Sequence, residues 1–297
     1  MKTFLIRAAT GLTVASLFIA AMLYSKYTFG IVILITLLGS IHEFYGISGG
    51  IRHADGGFAK KYRRITLALC GLAYALSFLL SQRYILADLG VLLPVILAIY
   101  FVIELFSRSE NPFQNIAWNL AAVIYLLVPI MLLNKIYFDK GELFALALLF
   151  LIWFYDSMCY ICGSLVGRHK LFERVSPKKT VEGSVCGLIL TLILAWFYPV
   201  ILGFLSARFN FKPTAYSGIQ WSVLAAITVV FATFGDLAES LLKRSIGIKD
   251  SGSILPGHGG FLDRVDAILL AIPFSAITIW LIDEIDNVLF AIQFLKF

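Results

Sequence analysis

The chain is 297 residues long, 60% hydrophobic and only 14% charged, with a mean hydropathy of +0.90. A soluble domain of that length needs far more polar surface, so the bilayer rather than water is its main solvent. The net charge of +6 is then no nucleic-acid footprint; in a membrane protein an excess of Lys and Arg first marks cytoplasmic loops beside anionic headgroups.

Backbone polar groups cannot go unpaired in hydrocarbon, so each crossing is a helix of about 20 apolar residues. Stretches of this kind run at about 8–24, 28–48, 65–81, 84–106, 113–133, 143–163, 184–206, 219–245 and 264–282. The fold class is therefore all-α: a polytopic membrane bundle of about nine transmembrane helices. Residues 1–140 supply about five amino-terminal helices. Residues 141–297 form a catalytic region with two polar loops, 164–183 and 246–263. The first span follows Met1, Lys2 and Arg7 and could pass for a secretory signal. Its apolar run is longer than a signal core and no clear small-residue cleavage site follows, so it reads as a retained helix. The tail NVLFAIQFLKF after Asp286 reads as an interfacial or packed helix end.

Charge orients the chain. Lys2, Arg7, Arg52, Lys60, Lys61, Arg63, Arg64, Arg108, Lys243, Arg244, Arg264 and the bases of both polar loops fall on the amino-terminal side. The other side has Lys26, Arg83, Lys135, Lys140, Arg208, Lys212 and Lys296. The positive-inside rule places the amino terminus and both polar loops in the cytoplasm and the carboxyl terminus outside.

The polar residues within apolar stretches come next, in chain order. His42 and Glu43, late in the second span, read as interfacial or intrabundle groups. Asp156 lies inside the sixth span with Tyr160 on its face at i+4. Cys159 and Cys162 form a CxxC inside a hydrophobic helix with no second pair, which reads as packing; nothing in the placement of the four cysteines suggests a disulfide framework. Gly163 and Gly167 form GxxxG, a close-packing pattern. SPKKTVEG, residues 176–183, sets Lys178 and Lys179 after a stiffening Pro177. These lysines suit phosphate, or ordinary anchoring to headgroups.

The eighth span ends FATFGDLAESLLKRS. Asp236, Glu239, Ser240 and Lys243 are spaced i, i+3, i+4 and i+7, on one helical face. An ionised Asp within a span costs on the order of 3 kcal/mol on insertion scales and so faces a cavity or a partner. An Asp236–Lys243 pair that closes the bundle is the plain alternative. The following stretch, IGIKDSGSILPGHGGFLDRVD, carries Lys249, Asp250 and a run of glycines able to bring backbone close to a phosphate. Asp263 and Asp266 open the last span three residues apart, with Arg264 between them on another face. Carboxylates from two helices beside a glycine-rich loop and basic residues suit Mg²⁺ holding phosphates; helix capping is the alternative for a single Asp. His258 suits a phosphate contact, a proton donor or a structural hydrogen bond. Asp283, at the opposite membrane face, reads as a bystander.

Residues 240–266, SLLKRSIGIKDSGSILPGHGGFLDRVD, resemble the signature of the CDP-diacylglycerol synthase, or phosphatidate cytidylyltransferase, family. SPKKTVEG resembles that family's second characteristic segment, with Val181 where an aromatic is expected, and GDLAES also matches. The resemblance covers about residues 150–283; the amino-terminal half matches only as a set of helices. It implies transfer of the cytidylyl group of CTP to phosphatidate, giving CDP-diacylglycerol and pyrophosphate. It further implies a bacterial inner membrane or a eukaryotic organelle, Mg²⁺, a second monovalent cation such as K⁺, and an assembly compatible with a homodimer. On it, Asp236 and Asp263 are expected as metal ligands, Asp266 as a further ligand or its support, and Asp156 as support to the metal. Ser240, Lys243, Arg244, Lys249, Asp250, His258 and Arg264 are expected at phosphates or in ordering the loop, with Lys178 and Lys179 as further phosphate contacts. Gly257, Gly259 and Gly260 give the loop its shape. A transporter using Asp156 and Asp236 as an ion relay is the rival from another class. A polyprenol kinase or an archaeal-type lipid cytidylyltransferase is the enzymatic rival.

Overall fold

The structure is a computed structural model that describes residues 13, 15–51, 56–80, 85–107, 109–252, 254 and 259–294. A short apolar helix α1 (Ala15–Tyr24) leads into α2 (Lys26–Ile51), α3 (Gly56–Leu80) and α4 (Ile85–Ser107). Then come α5 (Pro112–Ala122), α6 (Val128–Lys140), α7 (Glu142–Val166), α8 (Val181–Phe209), α9 (Gly218–Ser245) and α10 (Leu262–Phe294). A π-helical stretch, Val123–Leu127, joins α5 to α6 in one rod. The chain is an all-α polytopic membrane protein. Among the described residues seven rods are long and apolar enough to cross a bilayer: α2, α4, α5–α6, α7, α8, α9 and α10. The expected span at 8–24 lies mostly outside the described residues, with α1 as its visible part. The span expected at 65–81 falls within α3 as far as Leu80 but is not among the seven.

Two features depart from the sequence reading, and a third extends it. The loop at 164–183 contains a two-stranded antiparallel hairpin, β1 (Lys170–Phe172) and β2 (Ser176–Thr180), with Lys170 opposite Thr180. The tail after Asp286 is a helix end as expected, continuing α10 to Phe294. Cys162 and Cys186 form a disulfide between α7 and α8, their Cα atoms 6.2 Å apart. The expectation of packing cysteines therefore fails for Cys162. Its partner lies 24 residues on, in the next helix, where no local spacing announces it.

Glycines bring the helices close where the polar groups gather. A Cβ at Gly163 would lie 2.9 Å from Thr180 Oγ1, and one at Gly183 would lie 2.7 Å from the Cys159 carbonyl oxygen. The GxxxG pair therefore serves packing within the chain, against the residue that opens α8. On the other side of the site a Cβ at Gly235 would lie 2.5 Å from the Asp266 carbonyl oxygen and 3.0 Å from that of Ala267. The missing side chain lets α9 and α10 approach, which sets Asp236 beside Asp266. Hydroxyls stitch the same helices: Thr228 to Ser275 at 2.8 Å and Tyr155 to Thr233 at 2.9 Å. Such bonds are favoured in lipid, where the unpaired alternative is costly. The outward faces carry Ile193, Phe197, Val200 and Phe204, all exposed, as a lipid-facing surface requires.

Candidate active site

The carboxyl ends of α2, α7 and α9 meet the amino ends of α8 and α10 and the hairpin at one face of the bundle. Strand alternation sorts the two hairpin lysines. Lys178 points outward and is exposed. Lys179 points inward and forms an ion pair with Asp236. Thr180 then caps α8, its hydroxyl accepting from the Gly183 N–H at 3.2 Å. Capping residues with a free oxygen satisfy the orphan N–H groups of a first turn, so the cap fixes where Lys179 leaves the strand.

α9 and α10 supply the acidic residues. Lys243, almost fully buried, is paired with Glu239 one turn earlier and with Asp263 Oδ1 at 2.6 Å. The other oxygen of Asp263 accepts from the N–H groups of Ser251 (2.9 Å) and Gly260 (2.8 Å). Both oxygens of Asp263 are thus engaged by protein groups. Asp266 has a different setting: Asp236, Glu239 and Asp156 all lie within electrostatic reach of it, and among the described residues it accepts from the Ala267 N–H at 2.7 Å. The Ser240 hydroxyl approaches Asp236 at 3.5 Å. Asp156 on α7 is accessible yet lies within reach of Lys179 and Asp236.

The remaining candidates are spread more widely. Arg244, Lys249, Asp250 and Arg264 are exposed around the rim, with Arg244 donating to the Ile248 carbonyl at 3.0 Å. Gly259 adopts φ +79°, a conformation suited to glycine. Gly260 stands against a carboxylate, since a Cβ there would collide with Glu43. Gly257 and His258 lie outside the described residues.

Three residues belong to this site that the sequence reading left without a role in it. Glu239 shares the Asp236 face and is wholly buried; beyond its ion pair with Lys243, neither of its oxygens has a hydrogen-bond partner among the described residues. Tyr125, from the π-helical stretch, has a buried hydroxyl with no hydrogen-bond partner there and lies within electrostatic reach of Asp266, Glu239 and Asp236. π-turns inside helices often occur at functional sites. Glu43 reaches across from α2 to the start of α10, accepting from the Leu262 N–H at 2.9 Å. An intramembrane carboxylate is itself a signal of function; Tyr125 had no signal at all.

Among the described residues no three His, Cys, Asp or Glu side chains already close on one point as a ligand set. The chemistry of the donors nonetheless fits a hard cation. Asp156, Asp236, Glu239 and Asp266 offer carboxylate oxygens, Glu239 has oxygens without hydrogen-bond donors, and Lys179 and Lys243 are the cations paired with this group. Oxygen ligands of this kind suit Mg²⁺ together with phosphate.

The profile of the cytidylyltransferase family matches residues 5–282. A protein of Bacillus subtilis (strain 168) named phosphatidate cytidylyltransferase is 31% identical over 281 residues, which is 90% of this chain and 94% of that protein. A Thermotoga maritima protein of the same name is 35% identical over 173 residues, 58% of this chain and 62% of the other. One from Staphylococcus saprophyticus is 36% identical over 170 residues, covering 56% and 60%. The resemblance read from residues 240–266 is thereby borne out, and the similarity reaches through the amino-terminal helices as well. This chain belongs to the cytidylyltransferase family.

Proposed function

We propose that the chain transfers the cytidylyl group of CTP to phosphatidate, releasing pyrophosphate and leaving CDP-diacylglycerol in the bilayer. One observation carries the reading: lysines and carboxylates from both sequence blocks converge at one end of the bundle, where Lys179 meets Asp236 and Lys243 meets Asp263. In the reaction an oxygen of the lipid phosphate bonds to the α-phosphorus of CTP and the bond to the β-phosphate bridge breaks in line. A phosphate monoester is already largely ionised near neutral pH, so no deprotonating base is needed; positioning and charge neutralisation suffice.

In this reading Asp236, Asp266 and Glu239 hold a Mg²⁺, with Asp156 and Asp263 in support; a monovalent cation such as K⁺ is a second candidate for the same carboxylates. When bound, Mg²⁺ offsets the charge of the nucleotide phosphates. Lys179 neutralises phosphate on the hairpin side, and Lys243 holds Asp263 and Glu239 in place. Arg244, Lys249 and Arg264 surround the entrance with positive charge. The site end of the bundle faces the cytoplasm of a bacterial inner membrane, where CTP is dissolved, and the carboxyl end of α10 faces outward. If the chain dimerises, the contact lies elsewhere than Gly163 and Gly167, which are used against Thr180.

Purified protein with radiolabelled CTP, phosphatidate and Mg²⁺ tests the reading. The expected product is a labelled CDP-lipid, with pyrophosphate released in equal amount. A phosphorylated lipid alcohol with release of nucleoside diphosphate would instead make the chain a kinase, and absence of turnover with ion flux in liposomes would make it a transporter.

A further inference from the structure

Glu43 is separated by more than two hundred residues from every group in the 251–262 region that it touches. Its side chain is buried. Oε2 accepts from the Ser251 hydroxyl at 2.8 Å and from the Leu262 N–H at 2.9 Å; Oε1 accepts from the Phe261 N–H at 3.0 Å. Gly252 and Gly260 both lie so close to this carboxylate that a Cβ at either would collide with it. One turn earlier on α2, a Cβ at Gly39 would collide with the ring of Phe261. One face of α2 thus offers a slot and a carboxylate at i and i+4. The far segment brings an aromatic ring and two glycines to match.

A carboxylate taken out of water must be met by a cation or by several donors. The ion pairs found among the described residues do not include Glu43; hydrogen-bond donors meet its charge. Those donors are backbone groups at the first turn of α10 and the hydroxyl of Ser251. Asp263 grips the same two stretches from the other side, through the N–H groups of Ser251 and Gly260. Two carboxylates from distant parts of the chain therefore clamp Ser251–Gly252 against Gly260–Leu262. The clamp decides where α10 begins, and so where Asp263 and Asp266 stand relative to Asp236 and Lys243.

We propose that Glu43 is a positioning residue for the nucleotide and its metal. It fixes the start of α10 before substrate arrives, so that the acidic face of α10 meets CTP without first being ordered. This inference rests on the reading that CTP phosphates are received beside Asp236 and Asp266. The carboxylate itself is required. Every group that reaches it is a donor, so an amide nitrogen in its place would face a donor. Asp, one methylene shorter, falls short of the clamp.

The test uses full-length Glu43→Gln, Glu43→Asp and Ser251→Ala, with kinetics in which each substrate is varied. Amide hydrogen exchange without substrate or metal is the second readout. Glu43→Gln is expected to raise the apparent KM for CTP and the Mg²⁺ needed for half-maximal rate by about tenfold each, the size expected when a buried donor loses its acceptor. The KM for phosphatidate should stay within about twofold, since Glu43 is proposed to act on the nucleotide side alone. The Phe261 and Leu262 amides should exchange at least about tenfold faster, while those of Leu224–Ala232 in α9 stay unchanged. Glu43→Asp should rescue little. Ser251→Ala, which removes one donor from the clamp, should show the same pattern at about threefold and serves if Glu43 variants fail to fold. Unchanged exchange at Phe261 and Leu262, or equal losses toward both substrates, overturns the proposal and leaves Glu43 a packing group. Faster exchange with an unaltered KM for CTP also overturns it, but by removing the nucleotide from this end of α10 rather than Glu43 from its clamp.

Discussion

The ammonium of Lys179 is bound to the carboxylate of Asp236, a strand of the hairpin reaching a residue within α9. That single pair joins the two sequence blocks whose chemistry looked alike but whose separation, 57 positions, gave no sign of contact. It also separates two neighbouring lysines that the sequence could only treat together.

Lys178 and Lys179 should therefore behave differently. Lys179→Gln leaves Asp236 without its cation and removes a charge that would meet phosphate, and breaking one side of a partly buried pair is the costly way to disturb it. Turnover is expected to fall at least about tenfold, with a raised KM for CTP, since one charge-assisted contact is lost. Lys178→Gln, on the exposed face, should stay within about twofold. Steady-state kinetics on the two single variants decides this; equal effects of the two substitutions would return both lysines to a headgroup-anchoring role.

The acidic residues divide in a similar way. Asp236→Asn and Asp266→Asn each keep the side-chain shape and remove charge that would offset a cation. Each should lower turnover at least about a hundredfold, as expected for losing a principal electrostatic stabiliser, with little recovery as Mg²⁺ is raised. Asp263→Asn should lose a similar factor but also melt at lower temperature, because Lys243 and the Ser251 and Gly260 N–H groups all depend on it. Activity across a Mg²⁺ series, read beside thermal unfolding of the same preparations, separates the two behaviours. Near-normal turnover in the Asp266 variant would end the assignment of that carboxylate to the metal.

The spans were legible because lipid leaves the backbone one simple solution and the chain must write it as long apolar runs. Asp236, Asp263 and Asp266 were legible because helical spacing places them on defined faces. Glu43 was read as an interfacial or intrabundle group, since each of its partners lies in a segment with which it shares no local period. Glu239 was placed on the correct face but passed over, because a carboxylate four residues before a lysine looks like an ordinary surface pair until its burial is known. The hairpin was hidden by its shortness: three residues and five are too few for alternation to stand out from a polar loop. Gly235 shows the same limit, for its meaning lies wholly in the carbonyl of Asp266 packed against it.

Asp283 is not the bystander that its distance from the site suggests. It accepts from Lys140 at 2.6 Å and from the Tyr216 hydroxyl at 2.7 Å, tying α10 to α6 and to the segment before α9. Asp283→Asn should cost roughly 1 kcal/mol of stability, the scale of a partly exposed hydrogen-bonded ion pair. CDP-lipid formation by the surviving folded protein should change less than about twofold, because the groups proposed to receive CTP stand at the other end of the bundle. Thermal unfolding in detergent paired with a turnover assay checks both halves. A large loss of turnover at unchanged stability would contradict the placement.

Orientation is open to a direct measurement. A reporter active only outside the cytoplasm, fused after Phe297, should be active, and the same reporter placed in the hairpin at Glu173 should be silent. An inactive carboxyl-terminal fusion at normal expression would reverse the bundle or change the number of crossings.

α10 has one more consequence. Its 33 residues make a rod of about 50 Å, well beyond a hydrocarbon layer of about 30 Å. Asp266 and Asp283 stand roughly 26 Å apart along it, and both ends are tethered, one by Lys243 to Asp263 and the other by Lys140 to Asp283. A helix tied to its neighbours at two such distant levels cannot slide along them without breaking an ion pair. The height of Asp266 in the bundle is thereby tied, through one continuous helix, to an ion pair near the opposite membrane face.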